Sequence, residues 1–325
     1  MRKHSYDVVA LGELLIDFTE NGLSGQGNPL FEANPGGAPC NLLAMLTKLG
    51  RSTAFLGKVG DDAFGRMLRE RTAGVGIDVS ALRTDPEIPT TLALVHTLPG
   101  GDRDFSFYRK PGADLMLRTD ELDLDKIAGG KIFHFGTLSM TDEPARSATY
   151  AAIDYARAQE CLLSFDPNLR PPLWKSGEEA RRQIAYGLAR CDILKISDNE
   201  IAFMTGETDI QAGVEKLLEQ YPIPLVLATM GPDGSKAFYR GHVVSAPPFL
   251  TPHTIETTGA GDTFGGCALH FVLKYGLDDL TDDRLLELLT FSNAAAALVT
   301  TKKGALCVMP SEAEVRSFME SYHRS

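Results

Sequence analysis

Two hydrophobic patterns alternate along the chain. Short runs rich in β-branched and other apolar residues predict buried strands, and the longer stretches between them carry apolar residues at the spacing of amphipathic helices. The predicted strands are Tyr6–Leu11, Thr53–Val59, Ile132–Gly136, Cys161–Asp166, Ile193–Ser197 and Leu225–Thr229. The clearest predicted helices are Ala38–Leu49, Glu143–Gln159 and Ile210–Tyr221. Strands that alternate with helices in this way predict an α/β fold with a mainly parallel, doubly wound sheet.

Two stretches break this alternation. Leu14–Phe31 is polar and becomes glycine-rich toward its end, while Thr90–Leu98 and Asp104–Arg109 have the pattern of a hairpin around Pro99–Gly101. We expect these stretches to form a small sheet outside the main layer. Such a flap suits an enzyme that excludes water, although the pattern fits a surface hairpin without a function equally well.

The domain organisation follows from length and from what the chain lacks. Its 325 residues can bury a large core, and no repeat or linker-like segment divides them. We therefore expect a single domain over residues 1–325, with lid segments at about residues 14–34 and 88–110.

Composition argues against some classes of binding partner and indicates the cellular compartment. The chain has 32 basic and 43 acidic residues, a net charge of −11, which argues against broad contact with nucleic acid or an anionic membrane. No apolar run approaches the roughly 20 residues of a membrane span, and residues 1–5 lead into a short strand rather than a signal peptide, so the cytoplasm is the expected compartment. The scattered cysteines form no C-x-x-C pair and are predicted to be reduced core residues: Cys40, Cys161, Cys191, Cys267 and Cys307.

The segment Thr257–Gly266 sets one acid among glycines where a loop is predicted to enter a helix. Glycines let backbone N–H groups converge on one point, and a helix start adds partial positive charge, so an anion would be stabilised there. A carboxylate beside that anion is useful if it takes a proton from an attacking hydroxyl while phosphoryl charge develops nearby. The segment therefore predicts phosphoryl transfer with Asp262 as the base.

Two other interpretations of this segment, and one of a different glycine segment, are possible. It could be a capped helix start in which Asp262 only favours the helix dipole. A dinucleotide-binding loop has a different spacing, because here the glycines follow G-x-G-x-x-x-G. A P-loop is disfavoured because Gly231–Lys236 has too short a spacer before its lysine.

A second glycine segment, Pro35–Asn41, precedes a predicted helix. Gly36 and Gly37 can expose backbone N–H groups and Asn41 offers an amide, a mixture that suits the hydroxyls of a polyol, although a simple turn and helix start would look the same. The first strand is followed by a segment that ends in Asp17. Acids near strand carboxyl ends lie where open α/β sheets bind ligands, so Asp17 is a candidate for holding sugar hydroxyls.

Several ordered motifs together resemble the ribokinase-like carbohydrate kinases of the PfkB family over nearly the whole chain. The motifs are GELLIDF (12–18), PGGAPCNLLAMLTKLG (35–50), GKVGDDAFGRML (57–68), SFDPNLRPPLW (164–174), ILKISDNE (193–200), ATMGPDGS (228–235), TTGAGDTFGGCAL (257–269) and FSNAAAALVTTKKGA (291–305). The resemblance implies a three-layer α/β/α sandwich with a β-sheet lid. It also implies that the γ-phosphate of ATP moves to a sugar hydroxyl.

The resemblance assigns roles to individual residues. Asp262 is the implied catalytic base, and Gly259, Ala260 and Gly261 are the implied anion hole. The implied sugar side consists of Asp17, Gly36, Gly37, Asn41, Arg109, Asp166, Asn168 and Arg170, the last also steadying the transferred phosphate. The implied nucleotide side consists of Lys195, Glu200, Thr229, Gly231, Gly234, Gly259, Gly261 and Asn293.

Two positions bear on metal ions. Ser197 begins S-x-x-E where many members have N-x-x-E, a form similar to fructokinase-like members, and Glu200 is expected to organise Mg²⁺ through water. As a lone acid early in a helix, Glu200 could instead favour the dipole. Glu256 stands where many members have an aspartate that helps bind a monovalent cation, and it is the candidate for K⁺.

The sugar is indicated by the lid segment Phe105–Asp114, which resembles the F-Y-R-x-P-G-A-D run of bacterial and plant fructokinases. D-Fructose is therefore the expected substrate, with fructose 6-phosphate as product. A 2-keto-3-deoxygluconate kinase is the main alternative, because Arg109 and Arg170 could clamp a sugar-acid carboxylate. A sugar-sensing binding protein and a dehydrogenase rank lower. The apolar hairpin side chains could also pair two copies through the lid: Leu92, Leu94, Phe105 and Phe107.

Overall fold

A computed structural model describes residues 4–97 and 103–322, and the side chains of residues 96–105 lie outside that description. The predicted turn at Pro99–Gly101 falls outside the described residues, as does the Phe105 side chain.

The described chain alternates strands and helices as the hydrophobic pattern predicts. The strands are β1 (Tyr6–Leu11), β2 (Leu15–Leu23), β3 (Pro29–Gly36), β4 (Thr53–Gly60), β5 (Leu82–Asp85), β6 (Leu92–Thr97), β7 (Arg103–Tyr108), β8 (Gly130–Gly136), β9 (Leu162–Asp166), β10 (Ile193–Ser197), β11 (Leu225–Thr229), β12 (Ser235–Tyr239) and β13 (His242–Ala246). The helices are α1 (Ala38–Lys48), α2 (Ala63–Gly74), α3 (Leu124–Ala128), α4 (Ala145–Ala158), α5 (Gly177–Leu188), α6 (Asp198–Thr205), α7 (Ile210–Gln220), α8 (Ala260–Tyr275), α9 (Asp282–Val299) and α10 (Glu312–Tyr322). Within the ranges that the structure covers, none of these helices is both long and apolar enough to cross a membrane.

The main sheet has nine strands in the order β13-β12-β11-β10-β9-β8-β1-β4-β5. Neighbours from β11 to β5 pair in parallel, for example with Val8 opposite Ile132 and Lys195 opposite Leu227. The hairpin of β12 and β13 closes one edge in antiparallel pairing. Because parallel strands share one direction, the carboxyl ends of β1, β8, β9, β10 and β11 meet at one edge, where open α/β sheets bind ligands.

Helices cover both faces of this sheet. Along β1 the side chains alternate, since Val8 and Ala10 pack in one hydrophobic cluster with α1, α8 and α9, whereas Val9 and Leu11 pack in another with α4, α5 and α7. A strand whose two faces are both buried lies between two helical layers. This arrangement confirms the predicted α/β/α sandwich.

Helices α1 and α8 lie unusually close together. A Cβ added at Gly266 would lie 2.8 Å from both the carbonyl oxygen of Leu42 and Cβ of Met45. A Cβ at Gly265 would lie 3.1 Å from a Leu42 methyl carbon. The two glycines of α8 therefore allow its backbone to contact α1 directly.

A separate four-stranded sheet has the order β3-β2-β6-β7. Strand β2 pairs antiparallel with β3 and parallel with β6, which places Asp17 between Asn34 and Ala93. The fold class predicted from sequence, a mainly parallel sheet with a small additional sheet, is confirmed.

Cysteine burial follows the prediction at four of five positions. Cys40, Cys161, Cys191 and Cys267 are buried, and all five cysteines are free. The prediction was wrong for Cys307, which is exposed because it lies in the surface loop between α9 and α10.

The segment before β6 is fixed to the end of β4 through Asp62. The Asp62 carboxylate caps α2 by accepting from the N–H of Gly65 at 2.7 Å, and it also accepts from the N–H and hydroxyl of Thr90, both at 2.8 Å. Gly65 packs against this junction, because a Cβ added there would lie 2.0 Å from the carbonyl oxygen of Gly60.

We predict that Gly65→Ala lowers the free energy of unfolding by about 1–3 kcal/mol, because backbone atoms have to move to admit a methyl group. In a helix interior, replacing glycine by alanine normally raises stability by about 1 kcal/mol. Here we expect the opposite, a loss of stability. The matched control is Gly74→Ala in the same helix, where an added Cβ meets nothing within 4 Å. Urea unfolding of the two variants tests this, and equal stability of both would contradict the packing argument.

Candidate active site

A polar cavity of about 590 Å³ lies at the carboxyl edge of the main sheet, within the usual size range of small-molecule sites. The loops after β1, β8, β9 and β10 form its floor, and β2 and β7 of the small sheet form part of its wall. Most of the residues predicted from sequence line it: Asp17, Gly37, Asn41, Asn168, Arg170, Lys195, Glu200, Thr229, Gly259, Gly261 and Asp262.

A second, more apolar cavity of about 380 Å³ adjoins the first. The two cavities share the residues Thr229, Thr257 and Gly261. The predicted nucleotide residues Gly231, Gly234 and Asn293 line the second cavity, together with Ala260. An apolar cavity that opens into a polar one fits a ligand with an aromatic ring at one end and charged groups at the other.

Asp262 lies in the first turn of α8, where the two cavities meet. Burial raises the pKa of its carboxyl to about 6, although the side-chain amide of Asn41 donates to Oδ2 at 2.8 Å and favours the ionised form. A carboxylate with a pKa near 6 is ionised at neutral pH and is a better base than an exposed aspartate.

The start of α8 provides backbone N–H groups beside Asp262. The N-cap residue Gly259 has a φ of 77°, and a Cβ there would lie 2.4 Å from Cβ of Ala305, so glycine is required. The first N–H groups of a helix lack partners within the helix and attract anions. Of the three predicted donors, Ala260 already donates to the carbonyl oxygen of Thr257, at 3.3 Å.

Lys195 brings a cation to the same point. Its Nζ lies 3.2 Å from Oδ2 of Asp166, and a Cβ added at Gly261 would lie 3.0 Å from that Nζ. Burial lowers the pKa of Lys195, but the carboxylates of Asp166, Glu200 and Asp262 outweigh burial and raise it. Lys195 is therefore a fixed ammonium beside the glycine turn, and the structure places Asp166 against it rather than on the cavity wall.

Glu200 lines the cavity but also stabilises the backbone. Its Oε2 accepts from the N–H of Ser197 at 2.8 Å, closing a capping box at the start of α6, and its Oε1 accepts from the N–H of Leu169 at 2.7 Å. In the portion of the chain that the structure covers, no group of three or more His, Cys, Asp or Glu is placed to hold a metal ion. A hard cation beside Glu200 would complete its shell with water and ligand oxygens, which is how Mg²⁺ is usually bound.

The remaining predicted sugar residues lie around Asp17. Gly36 is packed against Asp17, because a Cβ there would lie 2.4 Å from its Oδ2, and Gly37 has a φ of 134° against the backbone of Glu13. Asp17, Gly36 and Glu256 line a small cavity behind the sugar side, where Glu256 accepts from the N–H of Gly304 at 2.7 Å. Asn168 lines the main cavity with a φ of 45°.

Arg109 does not line either cavity. Its buried guanidinium donates to Oδ2 of Asp114, to the hydroxyl of Thr141 at 2.9 Å and to the carbonyl oxygen of Leu138 at 2.8 Å. The structure thus places Arg109 in a structural ion pair below the lid, whereas Arg170 lines the polar cavity.

Asn293 supports the apolar cavity. Its Oδ1 accepts from the hydroxyl of Ser235 at 2.9 Å, and its Nδ2 donates to the carbonyl oxygens of Ala246 and Pro247. These bonds hold the edge hairpin and the loop behind it against α9, so the polar atoms of Asn293 bind protein.

Glu13 is a cavity residue that the sequence prediction missed. It lines the polar cavity, the residue is 3% exposed, and its Oε1 accepts from the N–H of Ala38 at 2.9 Å. Burial raises the pKa of its carboxyl to about 7. Its position two residues after the end of β1 is the signal that could have indicated it, whereas the prediction names only Asp17 in the same motif.

The chain is similar to known proteins over almost its whole length. The family model described as pfkB family carbohydrate kinase matches residues 5–312. "Probable fructokinase-2" of Arabidopsis thaliana is 41% identical over 315 residues, which is 96% of this chain and 95% of the relative. "Fructokinase-1" of Zea mays is 41% identical over 96% of this chain and 97% of its own length.

Two solved structures are similar in fold. The fructokinase of Xylella fastidiosa with bound ATP has a TM-score of 0.88 and 29% identity, covering 98% of this chain and 99% of that chain. The fructokinase of Vibrio cholerae O395 with fructose, ADP and calcium ion bound has a TM-score of 0.86 and 30% identity, covering 97% and 99%.

We predict that Arg109→Ala lowers the free energy of unfolding by about 3–5 kcal/mol, because it leaves the Asp114 carboxylate buried and unpaired. The double variant Arg109→Met with Asp114→Leu should recover most of that loss, since it removes both charges. Arg170→Ala is the control and should change stability by less than about 0.5 kcal/mol. Guanidinium chloride unfolding gives these values, and an Arg109→Ala protein as stable as the unsubstituted chain would contradict the structural role.

Proposed function

Because this chain belongs to the pfkB family of carbohydrate kinases, we propose that it transfers the γ-phosphate of ATP to the 6-hydroxyl of D-fructose. The observation that carries the proposal is the position of Asp262. Its carboxyl, with a pKa raised to about 6 by burial, lies at the first turn of α8 where the polar and apolar cavities join. The names of the relatives, fructokinases of plants and bacteria, support the choice of sugar.

In the proposed reaction, the sugar occupies the polar cavity with its 6-hydroxyl beside Asp262. The carboxylate takes the hydroxyl proton as the oxygen attacks the γ-phosphorus in line, and the bond from that phosphorus to the bridging oxygen of ADP breaks. The N–H groups at the start of α8 and the Lys195 ammonium offset the charge on the phosphoryl oxygens. Asn41 keeps the Asp262 carboxylate oriented through its hydrogen bond.

The proposed nucleotide site uses the apolar cavity for the base and the glycine turn for the phosphates. Gly231 and Gly234 line it and permit close backbone approach, with Thr229 where the two cavities meet. ATP is bound in the related Xylella fastidiosa structure. Glu200 would hold Mg²⁺ through water, and that ion would supply neutralising charge on the phosphates. Glu256, beside Gly304, is the candidate for a monovalent ion such as K⁺.

The charges of the polar cavity favour a neutral sugar over a sugar acid. The predicted clamp on a sugar-acid carboxylate uses both Arg109 and Arg170, but the Arg109 guanidinium is bonded to Asp114, Thr141 and Leu138. The same cavity is lined by four acids, Glu13, Asp17, Glu200 and Asp262, and by two cations, Arg170 and Lys195. The excess of acids opposes the binding of a carboxylate substrate. This distribution supports fructose over 2-keto-3-deoxygluconate.

The small sheet also exposes apolar side chains. Leu23, Leu30 and Tyr108 are exposed, as is Phe31 at the limit of that class. The side chains predicted to form this surface are different ones, and Leu92, Leu94 and Phe107 are half-buried. A second copy of the chain would cover the exposed side chains, so the homodimer through the lid stays a prediction that they support.

We predict that ADP release with Mg-ATP is fastest with fructose among fructose, ribose, tagatose, 2-keto-3-deoxygluconate and a nucleoside. Asp262→Asn should lower kcat by roughly 10²–10⁴-fold, because the base is lost. Asp283→Asn, an exposed acid in the first turn of α9, is the matched control and should keep normal turnover. A coupled ADP assay gives both results.

Three results would contradict the proposal, the first two from this assay and the third from the assay together with a separate measurement of fructose binding. Faster turnover of 2-keto-3-deoxygluconate would contradict the choice of sugar. Near-normal turnover by a folded Asp262→Asn protein would contradict the assigned base. Fructose binding without ADP release would favour a sugar-sensing protein.

We predict that kcat/KM for fructose is constant above the pKa of Asp262, about 6, and falls roughly tenfold per pH unit below it, because a protonated carboxyl cannot act as the base. Asn41→Ala removes a hydrogen bond that favours the ionised form of Asp262. In this variant the fall of kcat/KM on the acidic side should therefore begin at a higher pH. Glu13→Gln is the control, because Glu13 titrates in the same cavity with a pKa of about 7. Initial rates from pH 5 to 8 give the pH at which kcat/KM falls in each variant. If the fall disappears in Glu13→Gln, the titrating group is Glu13 and not Asp262.

A further inference from the structure

The carboxyl of Glu13 lines the polar cavity but has no part in the proton or phosphoryl transfer described above. The residue lies just beyond β1, is 3% exposed, and is the cavity acid that bonds directly to the start of α1. Burying a carboxyl is costly unless it is hydrogen-bonded, so its place in a ligand cavity calls for a specific role.

Helix α1 begins without a cap of its own. Its N-cap is Gly37, which has no side chain to accept from the first N–H groups, and Pro39 has no N–H. The N–H of Ala38, the first residue of the helix, donates outside the helix to Oε1 of Glu13 at 2.9 Å. Glu13 caps α1 from a different element of the fold.

Glu13 also lies against the residues of α1 that line the polar cavity. Gly37 fits directly against the Glu13 backbone, because a Cβ there would lie 2.4 Å from the carbonyl oxygen of Glu13. One turn along the helix, Asn41 donates its N–H to the carbonyl oxygen of Gly37 at 2.9 Å and its side-chain amide to Asp262 at 2.8 Å. A continuous path of bonds thus connects Glu13 with the Asp262 carboxylate.

We propose that Glu13 is a positioning residue for the sugar: by capping α1, it holds Gly37 and Asn41 in register with Asp262. This inference rests on the proposed function. The nucleotide cavity is lined by no described residue of α1, so loss of the Glu13 contact should weaken sugar binding and spare ATP binding. That separation distinguishes positioning from a general loss of stability.

The role depends on the reach of the side chain and not on its charge. Burial raises the pKa of Glu13 to about 7, yet an uncharged carboxyl still has a carbonyl oxygen that accepts from Ala38. Glutamine has the same length and the same acceptor. Aspartate keeps the charge but is one methylene shorter, so its oxygen is withdrawn from the Ala38 N–H.

The test is the KM for fructose and for ATP, with kcat and the melting temperature, for Glu13→Ala, Glu13→Asp and Glu13→Gln. We expect Glu13→Ala and Glu13→Asp to raise the KM for fructose roughly tenfold or more, because the half-buried N–H of Ala38 loses the acceptor that orients the start of α1. The KM for ATP should stay within about twofold, a change worth less than half a kcal/mol. Glu13→Gln should restore the KM for fructose to within about threefold of the original.

Asp192→Ala is the matched control. The Asp192 carboxylate also accepts one backbone N–H, from Leu163 at 2.7 Å, but it precedes β10 at the opposite end of the sheet from the cavity. Its substitution should lower the melting temperature without changing either KM. If Glu13→Asp is folded and has an unchanged KM for fructose, or if the KM values for fructose and ATP rise equally, the positioning role is wrong.

Failure of the proposed function has a different signature. It would be seen in the unsubstituted protein, as ADP release that does not depend on fructose. The Glu13 variants are then compared on the sugar of the panel that is turned over fastest. The expected ratios of KM between the variants are the same for that sugar. An unsubstituted protein that turns over none of the sugars contradicts both proposals.

Discussion

The burial of the Asp262 carboxylate is the constraint on which the rest of the site depends. Removing a carboxylate from water raises its pKa, here to about 6. The amide of Asn41, the ammonium of Lys195 and the start of α8 each favour the ionised form and limit this rise. The result is a group that is charged at neutral pH and still basic, while the same positive potential attracts a phosphate. The same contacts thus keep the Asp262 base ionised and attract the phosphate anion.

Many polar residues near the site act on each other and not on the ligand. Asp166 holds Lys195, Arg109 is paired with Asp114, and Asn293 bonds the loop behind the edge hairpin. Such groups are buried, and a buried polar group without a partner is costly, so each one fixes the orientation of a neighbour. A small number of atoms that face the cavities is therefore supported by a larger number that do not. This division explains why a motif residue can be essential to the geometry without touching a ligand.

The sequence predicted the fold class and most central elements, because buried parallel strands and amphipathic helices have strong hydrophobic patterns. The bounds of β1, β10 and β11 agree with the prediction, whereas α4 begins two residues late because Pro144 lies at its N-cap. The hairpin of β12 and β13 was not predicted, since its outer strand is largely exposed and its turn at Arg240 has a positive φ that the sequence does not signal. Side-chain partners were the least predictable feature. Whether Arg109 meets a ligand or Asp114 depends on the path of the backbone between distant elements.

The glycine contact between α1 and α8 has a consequence for how this cavity can diversify. Gly265 and Gly266 add no side chains of their own to this contact, so α8 packs closely on α1 and the positions of Asn41 and Asp262 are tied together. The small sheet reaches the same cavity from a separate layer, through residues such as Leu15 and Phe107. Changes in ligand preference are therefore easiest to acquire on that sheet, which can vary while the reacting groups stay aligned. A mutant library aimed at new acceptor substrates should randomise residues of the small sheet and keep α1 and α8 unchanged.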